Sequence, residues 1–392
     1  MVGRAPRASG LATGTYRHAP RVLAYRRTMA EAIADPGAEA VDTTSRPPGD
    51  RGTVRRRLGR LTGRQVNLLL EVLLLAALLT GLASWSTGDG WNGWFATAHA
   101  SVGLSLVIVA PAKVRGPVRT GFRRTRWTRW ISAAFGVVVL ATAVLGVLHA
   151  TGIWFGVGQW SALWTHQLLG FALVPLFVWH LASRPVRPTP TDLDRRAALR
   201  IGLIGGAAAG AYVAQNALAG AVGLAGAERR QTGSHEVASF DPANMPRVSW
   251  IDDRRPSDTA PDDWELRINA EIVPLRALWE LAEPVSAVLD CTGGWWSEQR
   301  WDAVPLASLV PNPTGRSVRV LSSTGYDRYY GHGSLDRVYL AVGYGGEPLR
   351  AGHGAPVRLV APGRRGPWWV KWVTQVDDSD RPAWLQPPLP LA

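Results

Sequence analysis

The sequence predicts two kinds of structure in one chain: an all-α membrane helical bundle, followed by a mixed α+β domain with a mainly β core. Three observations carry this. Five apolar stretches of membrane-crossing length follow one another between residues 66 and 226. The composition then turns abruptly to Pro, Asp, Arg and Trp. Beyond that point short β-like runs alternate with Gly/Pro turns.

Composition narrows the class. Of 392 residues, 46% are apolar and 19% charged, against about 25% charged in an ordinary soluble protein. A single cysteine excludes an internal disulfide and any disulfide scaffold. The net charge of +13 does not form one basic face. It gathers in the N-terminal tail and in short loops between apolar runs, which is the pattern of membrane topology rather than of nucleic-acid binding. Contact with anionic lipid accounts for these arginines, and no nucleic-acid partner is expected.

Residues 1–63 read as a disordered, basic cytoplasmic tail, rich in Arg, Ala, Gly and Pro without an apolar period. Met29 is an alternative start, since what precedes it resembles translated upstream sequence. The spans then run from about Val66 to Trp85, Gly93 to Lys113, Trp130 to Thr151, Trp160 to Leu181 and Leu199 to Gly226. The first four make a transmembrane domain at 64–184, and 185–227 holds the fifth. Arg51, Arg55, Arg56, Arg57, Arg60 and Arg64 precede the first span. The loop KVRGPVRTGFRRTRWTRW joins the second and third, and Arg184, Arg187, Arg195, Arg196 and Arg200 lie between the fourth and fifth. The alternate loops carry neither Lys nor Arg. Positive-inside therefore sets a multi-pass protein of the cell membrane with a cytoplasmic N-terminus and an extracytoplasmic domain at 228–392.

The fifth span is mostly Gly and Ala. Before it stands Asp194-Arg195-Arg196-Ala197-Ala198-Leu199-Arg200, which resembles an internal twin-arginine export signal without its bulky aromatic. That would make the twin-arginine translocase a partner. Positive-inside charge with close packing through Gly202, Gly206 and Gly210 is the alternative.

The outer domain contains the strand-like runs WELRINAEI, SAVLDC, SVRVLSS, VYLAVGY, PVRLVAP and WWVKWVTQV, and one helical stretch, PLRALWELA. Cys291 ends the second run and precedes Gly293-Gly294. A cysteine there reads as buried filler, a reactive thiol or a soft ligand for a redox metal. About 60 residues on, Arg358, Arg364, Arg365 and Lys371 cluster around the turn PGRRG. Such a cluster suits a phosphate-bearing cofactor, or is a solvated face.

Here the sequence resembles the sulfite oxidase-like molybdopterin oxidoreductases, over roughly Trp264 to Val376. The resemblance rests on Cys291 in its C-x-G turn and on the ordered stretch His353, Gly354, Ala355, Pro356, Arg358, Pro362, Gly363, Lys371, Trp372. It implies a molybdenum–molybdopterin cofactor with Cys291 as metal ligand. It also implies a cradle of Thr292, Gly293, His353, Arg358, Arg364, Arg365 and Lys371, and an active-site Tyr330 within YYGHGSLDRVYLAVGYGGEPL. The sequence departs from the family after the cysteine, where Thr292-Gly293-Gly294-Trp295-Trp296 replaces residues of an anion pocket. A neutral or amphipathic small molecule is therefore expected in place of sulfite, with Arg300 as a partial substitute for the missing positive charge. Sulfoxide reductases of the same broad family fit at least as well. A binding or structural module that keeps the fold without turnover is the other reading.

His99, His149, His166 and His180 lie in the apolar spans. Polar groups at that depth are costly and often functional. The first four spans resemble membrane cytochromes b, in which histidines of one helix ligate haem. His166 and His180 are separated by 14 residues, roughly 21 Å and nearly one face of a helix. The position equivalent to His180 on the second span is Lys113, which cannot bind iron. One haem b, held by His99 and His166 near the outer surface, is thus the expectation, with His149 as an alternative ligand. Interhelical hydrogen-bonding histidines are the other possibility. With haem, the spans would exchange electrons with a quinone pool or another membrane carrier.

Overall fold

The computed structural model describes residues 61–88, 91–113, 128–157, 160–247 and 264–387. The basic tail up to residue 60, Met29 and most of the second Arg-rich loop lie outside these residues.

Among the described residues, five helices are long and apolar enough to cross a membrane: α1 (Gly63–Ser86), α2 (Asn92–Lys113), α3 (Thr128–Thr151), α4 (Ala162–Ser183) and α5 (Arg195–Ala221). Their starts are chemically marked. Thr62 and Gln65 form a reciprocal capping box on α1. Ser161 caps α4 by accepting from Trp164 N, and Asp194 caps α5 by accepting from Ala197 N. The fifth helix therefore begins earlier than the apolar run, with Arg195 and Arg196 in its first turn. Leu74, Leu106, Leu173 and Phe177 form an apolar cluster joining α1, α2 and α4, against which Phe135, Val138 and Val139 of α3 pack. Helix α5 packs on α2, and its Ile201 and Ile204 reach a second cluster around Val66, Leu69 and Val109. Between α3 and α4 the chain forms a small hairpin, β1 (Gly156–Val157) and β2 (Trp160–Ser161).

The remainder is sheet-rich, as the runs of alternating residues predict. Its strands are β3 (His235–Glu236), β4 (Leu266–Ile268), β5 (Glu271–Val273), β6 (Glu283–Asp290), β7 (Trp295–Pro305), β8 (Ser317–Ser322), β9 (Asp327–Tyr330), β10 (Tyr339–Tyr344), β11 (Glu347–Pro348), β12 (Arg358–Val360) and β13 (Val373–Ser379). The helical stretch between β5 and β6 is α6 (Leu275–Leu281), and a single turn, α7 (Leu306–Leu309), follows β7. One sheet runs β11-β10-β7-β3, with β12 joined to β10 and β6 to β7. The other runs β5-β4-β13-β8-β9. One apolar core, including Trp301, Leu266, Val320, Leu340, Leu359 and Val376, draws on strands of both sheets.

The longest strand, β7, was hidden in the sequence. WWSEQRWDAVP mixes charge with aromatics, and reads as a wall beyond the cysteine. Its burial nevertheless alternates: Ser297, Gln299 and Trp301 are buried while Arg300 faces solvent. Arg300 is thus an exposed strand residue.

Candidate functional site

Strands β6 and β7 pair antiparallel from Glu283↔Ala303 to Asp290↔Trp296. The loop that joins them is Cys291-Thr292-Gly293-Gly294, so the cysteine motif is the turn of a β-hairpin. Cys291 N donates to Trp295 O (2.9 Å), and Gly294 N donates back to Cys291 O (3.2 Å). Gly294 has φ +94, a conformation for which glycine is favoured.

The sulfur sits at the inner end of this turn, with Cys291 only 8% exposed. It accepts from Gly293 N at 3.3 Å. Burial pushes the thiol's pKa up, while the Gly293 N–H and the charges of Arg365 and Lys371 pull it down.

The second motif converges on the first. Asp290 and Arg365 form an isolated parallel bridge. Arg365 Nη2 donates to Cys291 O (3.1 Å), and its Nη1 lies 3.4 Å from Asp290 Oδ1. Gly366 packs against the Cys291 backbone: a Cβ there would lie 3.5 Å from Cys291 Cα. Arg358 is buried between the rings of Trp301 (5.0 Å) and Trp369 (5.4 Å). Its Nη1 donates to His353 O (2.9 Å), and burial lowers its pKa to about 10. Buried guanidinium nitrogens without a partner remain in this region: Nε of Arg358 and Nε of Arg365. Such atoms are costly unless something accepts from them.

His353 supports this wall. Its Nε2 donates to Met245 O and its Nδ1 accepts from Tyr344 Oη, both at 3.1 Å. Burial holds its pKa down at about 4, so it is neutral. Gly354, at φ +105, brings Arg358 and Lys371 together; a Cβ there would lie 3.0 Å from the Cβ of each. Lys371 Nζ stands over the Trp372 ring at 5.2 Å, and Trp372 itself has φ +52, a strained backbone for a bulky residue. Arg364 lies over Trp368 (4.4 Å) and Tyr330 (5.6 Å).

Tyr330 does not behave as the resemblance implies. It is fully buried in β9, its hydroxyl donates to Trp368 O, and burial raises its pKa. In this arrangement it is a packed strand aromatic, and a catalytic hydroxyl would first have to release that carbonyl.

Sequence reasoning missed the segment that follows α5. Asp290, beside the cysteine, accepts from Thr232 Oγ1 and Ser234 Oγ (both 2.7 Å) and pairs with Arg230 (3.3 Å). β3 then joins β7 in parallel, His235 opposite Trp295. It also missed contacts from the helices. Gln167 Nε2 donates to Thr292 O (2.9 Å), and Ser161 Oγ donates to Gly293 O (3.2 Å). One signal was available: Gln167 is an amide inside an apolar span.

Within the helices, the His99 and His166 rings stand 5.8 Å apart, centroid to centroid. Each Nδ1 meets a backbone carbonyl: Ala77 O at 2.9 Å for His99 and Thr142 O at 2.7 Å for His166. That bond fixes the tautomer and leaves Nε2 as the donor atom, the arrangement of a metal-binding imidazole. Glycines seat both rings. A Cβ at Gly81 would lie 2.9 Å from His99 Cε1, and one at Gly146 would lie 3.2 Å from His166 Cε1. His149 turns instead toward the sheet-rich region, its Nε2 on Gly233 O (2.9 Å) and its ring 4.9 Å from that of His235. His180 packs on Phe135.

Residues 254–384 match the family described as oxidoreductase molybdopterin binding domain. Among solved structures, the sulfane dehydrogenase SoxCD from Paracoccus pantotrophus is 23% identical, with a TM-score of 0.29, over 35% of this chain and 41% of that one. The chain thus spans under half the length of that protein. No curated protein matches.

Proposed function

We propose that this chain is an integral-membrane, molybdopterin-dependent oxidoreductase, with its redox site in the sheet-rich region and its five apolar helices in the bilayer. The observation that carries the reading is the convergence of Cys291 with a buried guanidinium cluster, inside the segment that matches the molybdopterin-binding family. A soft thiolate and unpartnered cationic donors are the chemistry that a metal–pterin–phosphate group requires. Among the described residues no three His, Cys, Asp or Glu side chains come together, so a metal at Cys291 takes its other donors from outside this set, as a dithiolene-bearing pterin provides.

In this reading Cys291 is the protein's metal ligand, and Gly293 N–H steadies its sulfur. Arg358, Arg365 and Lys371 neutralise the phosphate, while His353 and Gly354 hold Arg358 and Lys371 in place. Bound there, the cofactor supplies two-electron oxygen-atom transfer. Trp295 and Trp296, whose indole Nε1 atoms are buried without partners, favour a neutral or amphipathic small-molecule substrate with an acceptor atom.

The helices divide as 64–184 and 185–227, with the outer domain at 228–392. Loop arginines set the tail in the cytoplasm and the redox site outside. His99 and His166 would together hold one haem b in a cytochrome b-like module, and that group would supply one-electron exchange with a quinone pool. Arg195-Arg196 serves as the export signal, which suits a domain that crosses already folded around its cofactor.

Metal, pterin and haem analysis of the purified full-length protein tests this. Wild type is expected to hold about one molybdenum per chain, and Cys291→Ser to lose it while keeping its fold, because the change in volume is small. A molybdenum-free wild type would refute the enzymatic reading. It would favour a binding module that has kept the fold, to which the engaged hydroxyl of Tyr330 also points.

A further inference from the structure

The turn that carries Cys291 is gripped from the helical side at two consecutive peptide groups. Gln167 Nε2 donates to Thr292 O at 2.9 Å, and Ser161 Oγ donates to Gly293 O at 3.2 Å. A trans peptide is planar, so its carbonyl and its N–H point in opposite directions. The far end of the Thr292–Gly293 peptide is Gly293 N, which donates to Cys291 Sγ at 3.3 Å. The far end of the Gly293–Gly294 peptide is Gly294 N, which donates to Cys291 O at 3.2 Å. Each bond, one from α4 and one from its cap, thus orients a group whose opposite end holds the cysteine.

The amide orientation of Gln167 follows from the chemistry. A backbone carbonyl only accepts, so the NH₂ must face it. Gln167 Oε1 is then left buried without a partner, a cost accepted for the bond on the other side. Ser161 is doubly committed, since its oxygen also caps α4 at Trp164 N (2.9 Å). A third contact seats the turn: a Cβ at Gly294 would lie 2.8 Å from His149 Cε1, so only glycine lets the turn close on the helices.

We propose that Gln167 is a positioning residue for Cys291, orienting the Thr292–Gly293 peptide so that its N–H meets the sulfur, with Ser161 as the second clamp. The functional meaning of this rests on the reading of Cys291 as the cofactor's ligand. It makes the first turns of an apolar helix part of the setting of the redox site. That helix also carries His166, so the imidazole pair and the thiolate turn share one rigid element.

Because Cys291 is the only cysteine in the chain, alkylation reads this turn alone. The test uses the full chain in detergent, expressed without molybdate and treated with iodoacetamide at one fixed pH. The buried sulfur reacts from the opened turn, where its chemistry is the same in every variant, so rate ratios report the opening equilibrium. Gln167→Met nearly conserves volume and removes the donor together with the unpartnered Oε1; with the Thr292 carbonyl left without its donor, labelling about 5-fold faster than wild type is expected, the factor of one net hydrogen bond. Ser105→Ala, whose hydroxyl bonds only its own helix at Ser101 O, should match wild type. Deuterium uptake of the peptide containing residues 291–294 gives the second measurement, and Gln167→Leu the second variant should Gln167→Met not fold. Labelling and uptake within about two-fold of wild type in the donor-less variants would overturn the proposal, as would equal acceleration in Ser105→Ala. Molybdenum content of parallel preparations grown with molybdate keeps the two readings apart: metal-free wild type refutes the proposed function, and unchanged labelling refutes this inference.

Discussion

Asp290 offers the sharpest test of how the cysteine hairpin is anchored. The perturbation is Asp290→Asn, which keeps the shape and removes the charge. Its carboxylate holds Thr232 Oγ1 and Ser234 Oγ at 2.7 Å each and faces Arg365, which is only 2% exposed. An asparagine keeps one acceptor, so one of the two charge-assisted bonds is lost, costing about 1.5–3 kcal/mol. Removing one partner of a buried ion pair leaves the other uncompensated and typically costs ~3–5 kcal/mol. The two losses overlap, because the same charge is deleted, so the expected destabilisation is about 3–5 kcal/mol. For a domain of this size each kcal/mol lowers Tm by about 2–4 °C, hence a fall of roughly 6–20 °C. The assay is thermal unfolding of the detergent-solubilised protein followed by near-UV circular dichroism, which reports the Trp-rich region. Asp290→Asn combined with Arg365→Met should lose less than the two single changes together, because the stranded charge is gone. A fall below about 2 °C, or strictly additive losses, would mean that the carboxylate does not hold this hairpin.

A methyl at Gly81 tests the imidazole pair. Gly81→Ala would press on His99 Cε1 at 2.9 Å and should abolish or shift the Soret band while leaving molybdenum content unchanged; an unaltered spectrum would count against haem between His99 and His166. His353 predicts a pH dependence. Its folded pKa, held down at about 4 by burial, lies below the unfolded value of about 6.5, so the unfolded chain binds the extra proton between those limits. Its contribution to stability is therefore complete above pH ~6.5 and is lost as pH falls toward 4, by a few kcal/mol in all. His353→Gln, which can still donate to Met245 O, should show a shallower loss over that window in denaturant melts at stepped pH, and an identical slope would refute the assignment.

Much of the architecture was legible in linear order, for reasons that are local. Apolar runs of about 20 residues form helices because backbone polar groups in an apolar setting must be satisfied within the segment. Short β-branched and apolar runs bounded by turn residues, such as SVRVLSS and VYLAVGY, make strands, and each appears as one. Strand β7 escaped because its exposed face carries Glu298 and Arg300 and its buried face holds polar Ser297 and Gln299. Gln299 is satisfied there by Ala238 O and Ser297 Oγ, partners that no periodicity announces. Of the site, the cysteine turn and the basic motif were visible as residue types at a spacing. Tyr330 was assigned by resemblance, and its hydroxyl went to Trp368 O instead.

Chemistry carried by neighbours in the chain, such as caps, spans, turns and the C-x-G cysteine, could be read before any fold was known, because its geometry is set within a few residues. What required the folded chain is the meeting of groups distant in sequence: Gln167 on Thr292 O and Ser161 on Gly293 O, each pair more than a hundred residues apart, and His99 beside His166. A hydrogen bond needs donor and acceptor within about 3 Å, and only packing of helices and sheets brings distant residues to that range.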